Sequence, residues 1–200
     1  VIETLNVQGA YDALSKGEVV AVPTDTVYGL AASLKFEPAI MRIFSLKRRP
    51  SYVPFPVVVS SIEQIEALGV EILPEMRRLA KEFWPGVLTI VVPAPASLAA
   101  LVCSRGESVG FRIPNDPLLM SLVERTGPLA LTSANDHGEE PCQSAQEIRE
   151  IFKDQTGLAG VLDDGPRSGE VSSVVEISGG SWKMLRERAV ASSEISRVLD

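Results

Sequence analysis

Hydroxyls, an amide and cations gather in four short segments of this chain: Pro23-Thr-Asp-Thr-Val-Tyr-Gly29, Ser45-Leu-Lys-Arg-Arg-Pro50, Phe111-Arg-Ile-Pro114 and Thr132-Ser-Ala-Asn135. Pooled, Thr24, Thr26, Tyr28, Lys47, Arg49, Arg112, Thr132, Ser133 and Asn135 form the inventory of a site for an anionic, hydrogen-bonding ligand. Phosphate or carboxylate fits that inventory best. Most of these residues directly follow apolar runs, at the turns where sheet proteins place binding groups.

Structural roles compete at each position. Thr24 and Thr26 can cap a turn, with Tyr28 half-buried beside them. Lys47-Arg48-Arg49 can be a solvated helix end, where cations favour the helix dipole. Arg112 follows apolar Val109 and Phe111, a setting in which a cation needs a partner or ligand unless alternation turns it to water. Ser133 and Asn135 can close a side-chain-bonded turn. Other chemistries have less footing. His137 is the single histidine, so a multi-histidine metal site or a Ser-His-Asp triad would rest on it alone. Asp163-Asp164-Gly-Pro166 reads as a turn before it reads as a magnesium site, and Glu139-Glu140 as solvated loop. Neither G-x-x-x-x-G-K-S/T nor G-x-G-x-x-G occurs, so a nucleotide would bind by another route.

The elements that must position these residues emerge from apolar spacing and chain breakers. Gly17 closes a first helix, Glu18 to Val22 is a buried strand ended by Pro23, and Val27 to Leu34 is a second strand. Ile40, Ile43 and Phe44 mark a helix over 38–46, and Pro50 bars any continuation beyond the basic run. Pro56 to Val59 is a short strand; Met76, Leu79, Ala80 and Phe83 share one helical stripe ended by Trp84-Pro-Gly86. Val87 to Val92 and Val109 to Ile113 are strands, after which Asp116-Pro117 caps a helix burying Leu118, Leu119, Leu122 and Val123. Leu129 to Leu131 is a strand, Ser144 to Glu147 a capping box opening a helix with Ile148, Ile151 and Phe152 inside. Strands near 158–163, 171–177 and 182–186 complete the chain. This order predicts an α/β fold of the α+β type, a layered domain whose twisted, mixed β-sheet is flanked by helices. With no repeat and no linker, residues 1–200 read as one domain.

Composition limits the partners. The 200 residues carry 19 basic and 26 acidic side chains, a net charge of −7, which argues against a whole-surface grip on nucleic acid or anionic membrane. At 45% hydrophobic and 22% charged residues the chain can bury a core unaided. Cys103 and Cys142 lie in no C-x-x-C pattern and suit a reducing, cytoplasmic compartment. Apolar runs such as Val87 to Val92 are too short for a membrane helix, and the opening Val-Ile-Glu-Thr-Leu lacks the features of a signal peptide.

Six pieces in order carry a family likeness: Pro-Thr-Asp-Thr-Val-Tyr-Gly-Leu at 23–30, Lys-Arg-Arg-Pro at 47–50, Trp-Pro-Gly-Val-Leu-Thr at 84–89, Gly-Phe-Arg-Ile-Pro at 110–114, Leu-Thr-Ser-Ala-Asn at 131–135 and Asp-Gly-Pro at 164–166. Through them the chain resembles the YrdC-like threonylcarbamoyl-AMP synthase family in its short, single-domain form. The resemblance implies an L-threonylcarbamoyladenylate synthase, a nucleotidyltransferase that joins L-threonine, bicarbonate and ATP, releases pyrophosphate and begins N6-threonylcarbamoyladenosine modification of tRNA. It implies Lys47, Arg49, Ser133 and Asn135 as the catalytic set, binding ATP together with Thr132, Ser172 and Arg186. Thr24, Thr26, Tyr28 and Arg112 would face threonine. Mg2+ would come with ATP, through phosphate oxygens and waters, with no protein metal site and no organic cofactor. The adenylate would pass to a downstream tRNA-modifying threonylcarbamoyl transferase complex. Such a reaction needs no protein nucleophile.

Three positions depart from the family pattern. Val53 stands where a basic residue is common, Ser172-Ser173 replaces Ser-Thr, and Arg188 takes the place of a frequent glycine after Leu185-Arg186, where a turn would exploit φ > 0. Two other readings compete with the synthase. An RNA-binding or ribosome-associated module calls for more clustered Lys/Arg and aromatic platforms than the single basic run Lys47-Arg48-Arg49, leaving at most weak RNA contact. A carbamoyl-adenylate enzyme with another acceptor or amine would share the same motifs.

Overall fold

The computed structural model describes residues 2–136 and 138–200. Its elements in chain order are β1 (Glu3–Leu5), α1 (Val7–Ser15), β2 (Val19–Pro23), β3 (Tyr28–Ser33), α2 (Glu37–Leu46), β4 (Val57–Val58), α3 (Ile62–Ala67), α4 (Pro74–Phe83), β5 (Leu88–Pro93), α5 (Ala96–Val102), β6 (Ser108–Arg112), α6 (Pro117–Thr126), β7 (Leu129–Ser133), α7 (Ala145–Ile151), β8 (Leu158–Leu162), β9 (Ser173–Ser178), β10 (Ser181–Arg186) and α8 (Ser192–Leu199). Among the described residues, ten strands join one sheet in the order β1-β8-β2-β3-β7-β4-β6-β5-β9-β10. Four pairs, β1–β8, β2–β8, β4–β6 and β5–β9, are parallel and the other five antiparallel, so the sheet is mixed, as the sequence predicts. No helix among the described residues is long and apolar enough to cross a membrane.

Local chemistry explains where the helices begin. Asp116 accepts the Leu119 N–H at 2.9 Å with Pro117 in the first turn of α6, the arrangement that satisfies an orphan donor and pre-sets φ. Ser144 caps α7 by accepting the Glu147 N–H. Glu147 reaches back to the Gln143 N–H at 2.8 Å, one residue before the cap. Four short elements, β1, α3, α5 and α8, were not anticipated from the sequence. Ile151, expected inside, is 42% exposed at the end of α7.

Strict alternation along the strands divides the core into two layers. Val19 and Ala21 of β2 face the larger one, built with α2, α4, α5, α7 and α8. Val20 and Val22 face the smaller one, under α1 and α6, through Ala10, Leu14, Leu119, Leu122 and Val123. The smaller layer extends over β8, β2, β3, β7 and the short β4, with Leu5 of β1 packed at its margin. Past that edge, among the described residues, the same face of the sheet carries no helix-packed apolar cluster, and there most of the predicted polar residues converge.

Candidate functional site

On the uncovered part of that face lies a cavity of about 320 Å³. Alternation builds its floor. In β5, Leu88, Ile90 and Val92 enter the large core while Thr89 and Val91 face the cavity. In β6, Val109 and Phe111 turn inward and Ser108, Gly110 and Arg112 outward. Along β9, Val175 and Ile177 are core, whereas Val174 and Glu176, with Ser172 just ahead of the strand, line the cavity. Of the residues singled out from sequence, Thr24, Thr26, Tyr28, Arg49, Arg112, Thr132, Ser133, Ser172 and Arg186 line it together. Lys47 and Asn135 do not.

Three arginines share one mode of attachment. Arg112 donates from Nε to the Gly86 carbonyl at 2.8 Å and from Nη2 to Asp25 Oδ1 at 2.6 Å. Arg49 donates from Nε to the Val53 carbonyl at 3.1 Å and from Nη2 to that of Pro54 at 2.8 Å, over the Phe55 ring. Arg186 uses Nε on the Ser172 carbonyl at 3.0 Å and Nη2 on Ser172 Oγ at 3.2 Å. Each guanidinium is thus pinned along one edge, and Nη1 of each engages no protein acceptor among the described residues. Burial lowers the pKa of all three; Arg186 lowers that of Arg49 further, and Arg188 and Arg112 that of Arg186. Mutually repelling cations with open donors form a place that an anion would stabilise.

The orientation of Arg49 follows from how α2 ends. The Arg49 N–H reaches the Phe44 carbonyl at 2.9 Å and the Arg48 N–H that of Ser45 at 3.1 Å, the paired bonds of a Schellman cap. Arg48 occupies the left-handed position with φ 49°, usually glycine's place because a Cβ costs energy there. The reversal sends Arg48 to solvent, 77% exposed and 3.9 Å from Asp136, while Lys47 and Arg49 turn inward.

Lys47 is 1% exposed. Its ammonium donates to the Asn135 carbonyl at 2.8 Å, to Asn135 Oδ1 at 2.7 Å and to the Ser133 carbonyl, so its three donors hold the loop after β7. Burial pushes its pKa down to about 7, with the charge of Arg49 adding to the effect. Asn135 closes this turn, accepting from Ser133 Oγ at 2.7 Å and donating to the Asp136 and Glu139 carbonyls. Next to it, burial above all, with Glu147 adding, raises the Cys142 thiol to about 12, which keeps it an inert thiol at neutral pH.

The β2–β3 turn combines its structural and binding readings. Thr24 Oγ1 donates to the Val27 carbonyl at 2.7 Å. Its single proton being engaged there, Thr26 is the donor in the 2.9 Å pair between the two hydroxyls, and the remaining lone pairs of Thr26 stay open to a ligand donor. The Tyr28 hydroxyl donates to the Gly165 carbonyl at 2.8 Å. Tyr28 therefore ties down the segment 163–172, which crosses the turn so closely that a Cβ on Gly169 would meet the Asp25 carbonyl oxygen at 2.6 Å and Thr26 Cα at 2.7 Å. Arg167 fastens the same segment, through Nε to the Thr24 carbonyl at 2.9 Å and Nη2 to Asp164 at 2.7 Å. Asp163-Asp164-Gly-Pro166, expected as a turn, forms no regular turn: Gly165 takes φ 76° and its N–H reaches Asp163 Oδ1 at 3.3 Å, while Tyr28 and Arg167 hold the segment as an irregular strap.

The departures from the family pattern have a structural account. Val53 contributes its carbonyl to Arg49. Ser173 points away from the cavity, fully buried, accepting the Arg188 and Val190 N–H groups and donating to the Val190 carbonyl. Arg188 needs no glycine-like backbone, since Arg48 is the one non-glycine residue with positive φ among the described residues. His137 lies outside the described residues.

Three residues escaped the sequence reading. Asp25 partners Arg112 and also accepts the Asn115 N–H at 2.9 Å; it is the only carboxylate in the four polar segments, which was the available signal for a buried arginine's partner. Arg167 and Glu176 gave none: Arg167 acts through Thr24 and Asp116, far away along the chain, and Glu176 is brought to the cavity wall only by the pairing of β9 with β5. Among the described residues no cluster of three or more His, Cys, Asp or Glu could hold a metal.

Comparison with known proteins places this geometry in context. The Sua5/YciO/YrdC family model, described as "Telomere recombination", matches residues 12–188. The threonylcarbamoyl-AMP synthase of Pyrococcus abyssi is 34% identical over 200 residues, covering 99% of this chain and 58% of that protein. That of Bacillus subtilis is 34% identical, covering 93% and 54% respectively. The chain thus spans little more than half the length of these relatives. A solved structure of P. abyssi Sua5 complexed with L-threonine superposes with a TM-score of 0.88 at 33% identity, covering 96% of this chain and 56% of that one.

Proposed function

The chain belongs to the Sua5/YciO/YrdC family, and we propose from that premise that it is an enzyme, a nucleotidyltransferase making threonylcarbamoyl-adenylate from L-threonine, bicarbonate and ATP. The observation that carries the reading is the trio Arg49, Arg112 and Arg186, each held along one edge with Nη1 left open on a single cavity. The threonine amine condenses with bicarbonate to a carbamate with loss of water. A carbamate oxygen then attacks the α-phosphorus, the bond to the β-phosphate oxygen breaks, and pyrophosphate leaves. Two anions must meet, so fixed cations do the principal work. Arg49 and Arg186 would hold phosphate oxygens, Arg112 the amino-acid carboxylate, and Thr26 would accept from the threonine amine or hydroxyl. Lys47 and Asn135 act from behind, fixing the loop that presents Thr132 and Ser133.

The donor set suits Mg2+ carried by the nucleotide, because the cavity wall offers one carboxylate, Glu176, among hydroxyls and arginines. When present, the ion would offset charge on the departing phosphates. The same reading treats residues 1–200 as one YrdC-like unit working in a reducing cytoplasm, in keeping with two buried free cysteines. It hands the product to a tRNA-modifying threonylcarbamoyl transferase complex. Pyrophosphate release should require bicarbonate and select threonine over valine, its near-isostere without the hydroxyl, by about tenfold or more. Equal release with valine, or release independent of bicarbonate, rejects the reading.

A further inference from the structure

We infer that the β9 end of the cavity is a nucleobase subsite in which Glu176 accepts a hydrogen bond from an exocyclic amine, so that the chain selects adenine over bases with a carbonyl there. The inference deepens the proposed function and rests on it.

Among the described residues, Glu176 is the only acidic one on the cavity wall. It is half-buried, yet it makes no hydrogen bond or ion pair among the described residues, not even with Lys183, its cross-strand neighbour on β10. A carboxylate amid arginines weakens a site for phosphate, so its place calls for another part of the ligand. Between it and the arginines lies an apolar strip. Val91, directly beside Glu176 on β5, Val174 and Leu185 all line the cavity, and Leu185 is 48% exposed. The floor is kept flat by Gly110, where a Cβ would stand 2.9 Å from Thr89 Cγ2. Flat and apolar surroundings with one acceptor at the rim suit the face and edge of an aromatic base.

Spacing favours the base over the sugar. Ser172, just ahead of β9 and touching Arg186, and Glu176 within β9 both face the cavity. Four residues at a rise near 3.3 Å separate them by about 13 Å, farther than a ribose stands from its phosphate. A carboxylate offers acceptors only, so an amine pairs with it and a carbonyl faces it lone pair to lone pair.

Calorimetric titration of the whole chain with ATP, inosine triphosphate and 2′-deoxy-ATP tests this. The wild type should bind ATP about tenfold or more tightly than inosine triphosphate. Glu176→Leu should bring that ratio to about twofold or less by weakening ATP alone. Glu176→Gln, whose amide can turn its donor to a carbonyl, should narrow the ratio too, and it carries the test if the leucine variant does not fold. Equal wild-type affinities overturn the subsite, as does a ratio that survives both substitutions. Loss of discrimination against 2′-deoxy-ATP instead overturns it by placing the carboxylate on the ribose. Because binding is read without pyrophosphate release, failure of the threonine reaction leaves this result interpretable.

Discussion

One face of the sheet has two fates. Under α1 and α6, Val20, Val22, Ala31 and Leu129 are sealed against Leu119 and Leu122. Beyond those helices, positions of the same parity hold Arg112, Thr89, Ser172 and Glu176 around open space. The backbone alternation is identical in both halves; what differs is cover. A period of two assigns a residue to a face, whereas the neighbouring helices decide whether that face becomes core or site.

Substitutions in the two halves should separate stability from binding. Truncating the cover, Leu122→Ala, should cost about 2–5 kcal/mol in urea unfolding. Val91→Ala in the open half should cost about 1 kcal/mol or less while weakening ATP binding. If the two variants lose equal stability, the halves are not distinct. Next comes the pair of arginines that the Schellman cap sends apart. Arg49→Lys keeps the charge but replaces the planar fork by a point donor on a flexible stem, which cannot hold the Val53 and Pro54 carbonyls along one edge while aiming a donor from the other at the ligand, so kcat for adenylate formation should fall roughly thirtyfold to a thousandfold, about 2–4 kcal/mol in barrier. Arg48→Lys should change stability by about 0.5 kcal/mol or less and leave kcat alone. Equal small effects would reduce Lys47-Arg48-Arg49 to a solvated run.

The most gradual effect, spread over pH, concerns Lys47. Its folded pKa, about 7, lies below the ordinary 10.5, so between those values the unfolded chain binds the extra proton and stability rises with pH. That contribution is complete above 10.5 and gone once pH has fallen to about 7. Between about pH 7.5 and 9.5, unfolding free energy should climb more steeply for the wild type than for Lys47→Met, by at most about 1.4 kcal/mol per pH unit. Parallel slopes would mean that the buried ammonium keeps its proton.

Most long elements were legible because their causes are local. Asp116-Pro117, Ser144 with Glu147, and the stripe Met76, Leu79, Ala80 announce helices through nearest neighbours. The missed α3 and α5 have six and seven residues, too short for periodicity to emerge, and the three-residue β1 is a strand only because β8 comes to meet it. Ile151 looked buried by its type, although the helix ends before a partner reaches it. The site was legible as a collection and illegible as a wiring pattern. Thr24 and Asn135 satisfy themselves locally, as their turn chemistry allows, while the phenol of Tyr28 and the ammonium of Lys47 reach 137 and 86 residues along the chain. No single-sequence pattern encodes such distances.

The strand order also sets a timetable. Gly160 of β8 is the register partner of both Glu3 in β1 and Val20 in β2, so a strand from late in the chain is the seam joining the first two. A nascent chain emerging from the ribosome carries β2 with one open edge until residue 160 arrives, and β1 has no neighbour at all. Pairings so distant in sequence slow folding and leave strand edges exposed to other chains meanwhile. During synthesis, therefore, there is an interval in which β1 and one edge of β2 exist without the strand that pairs with them.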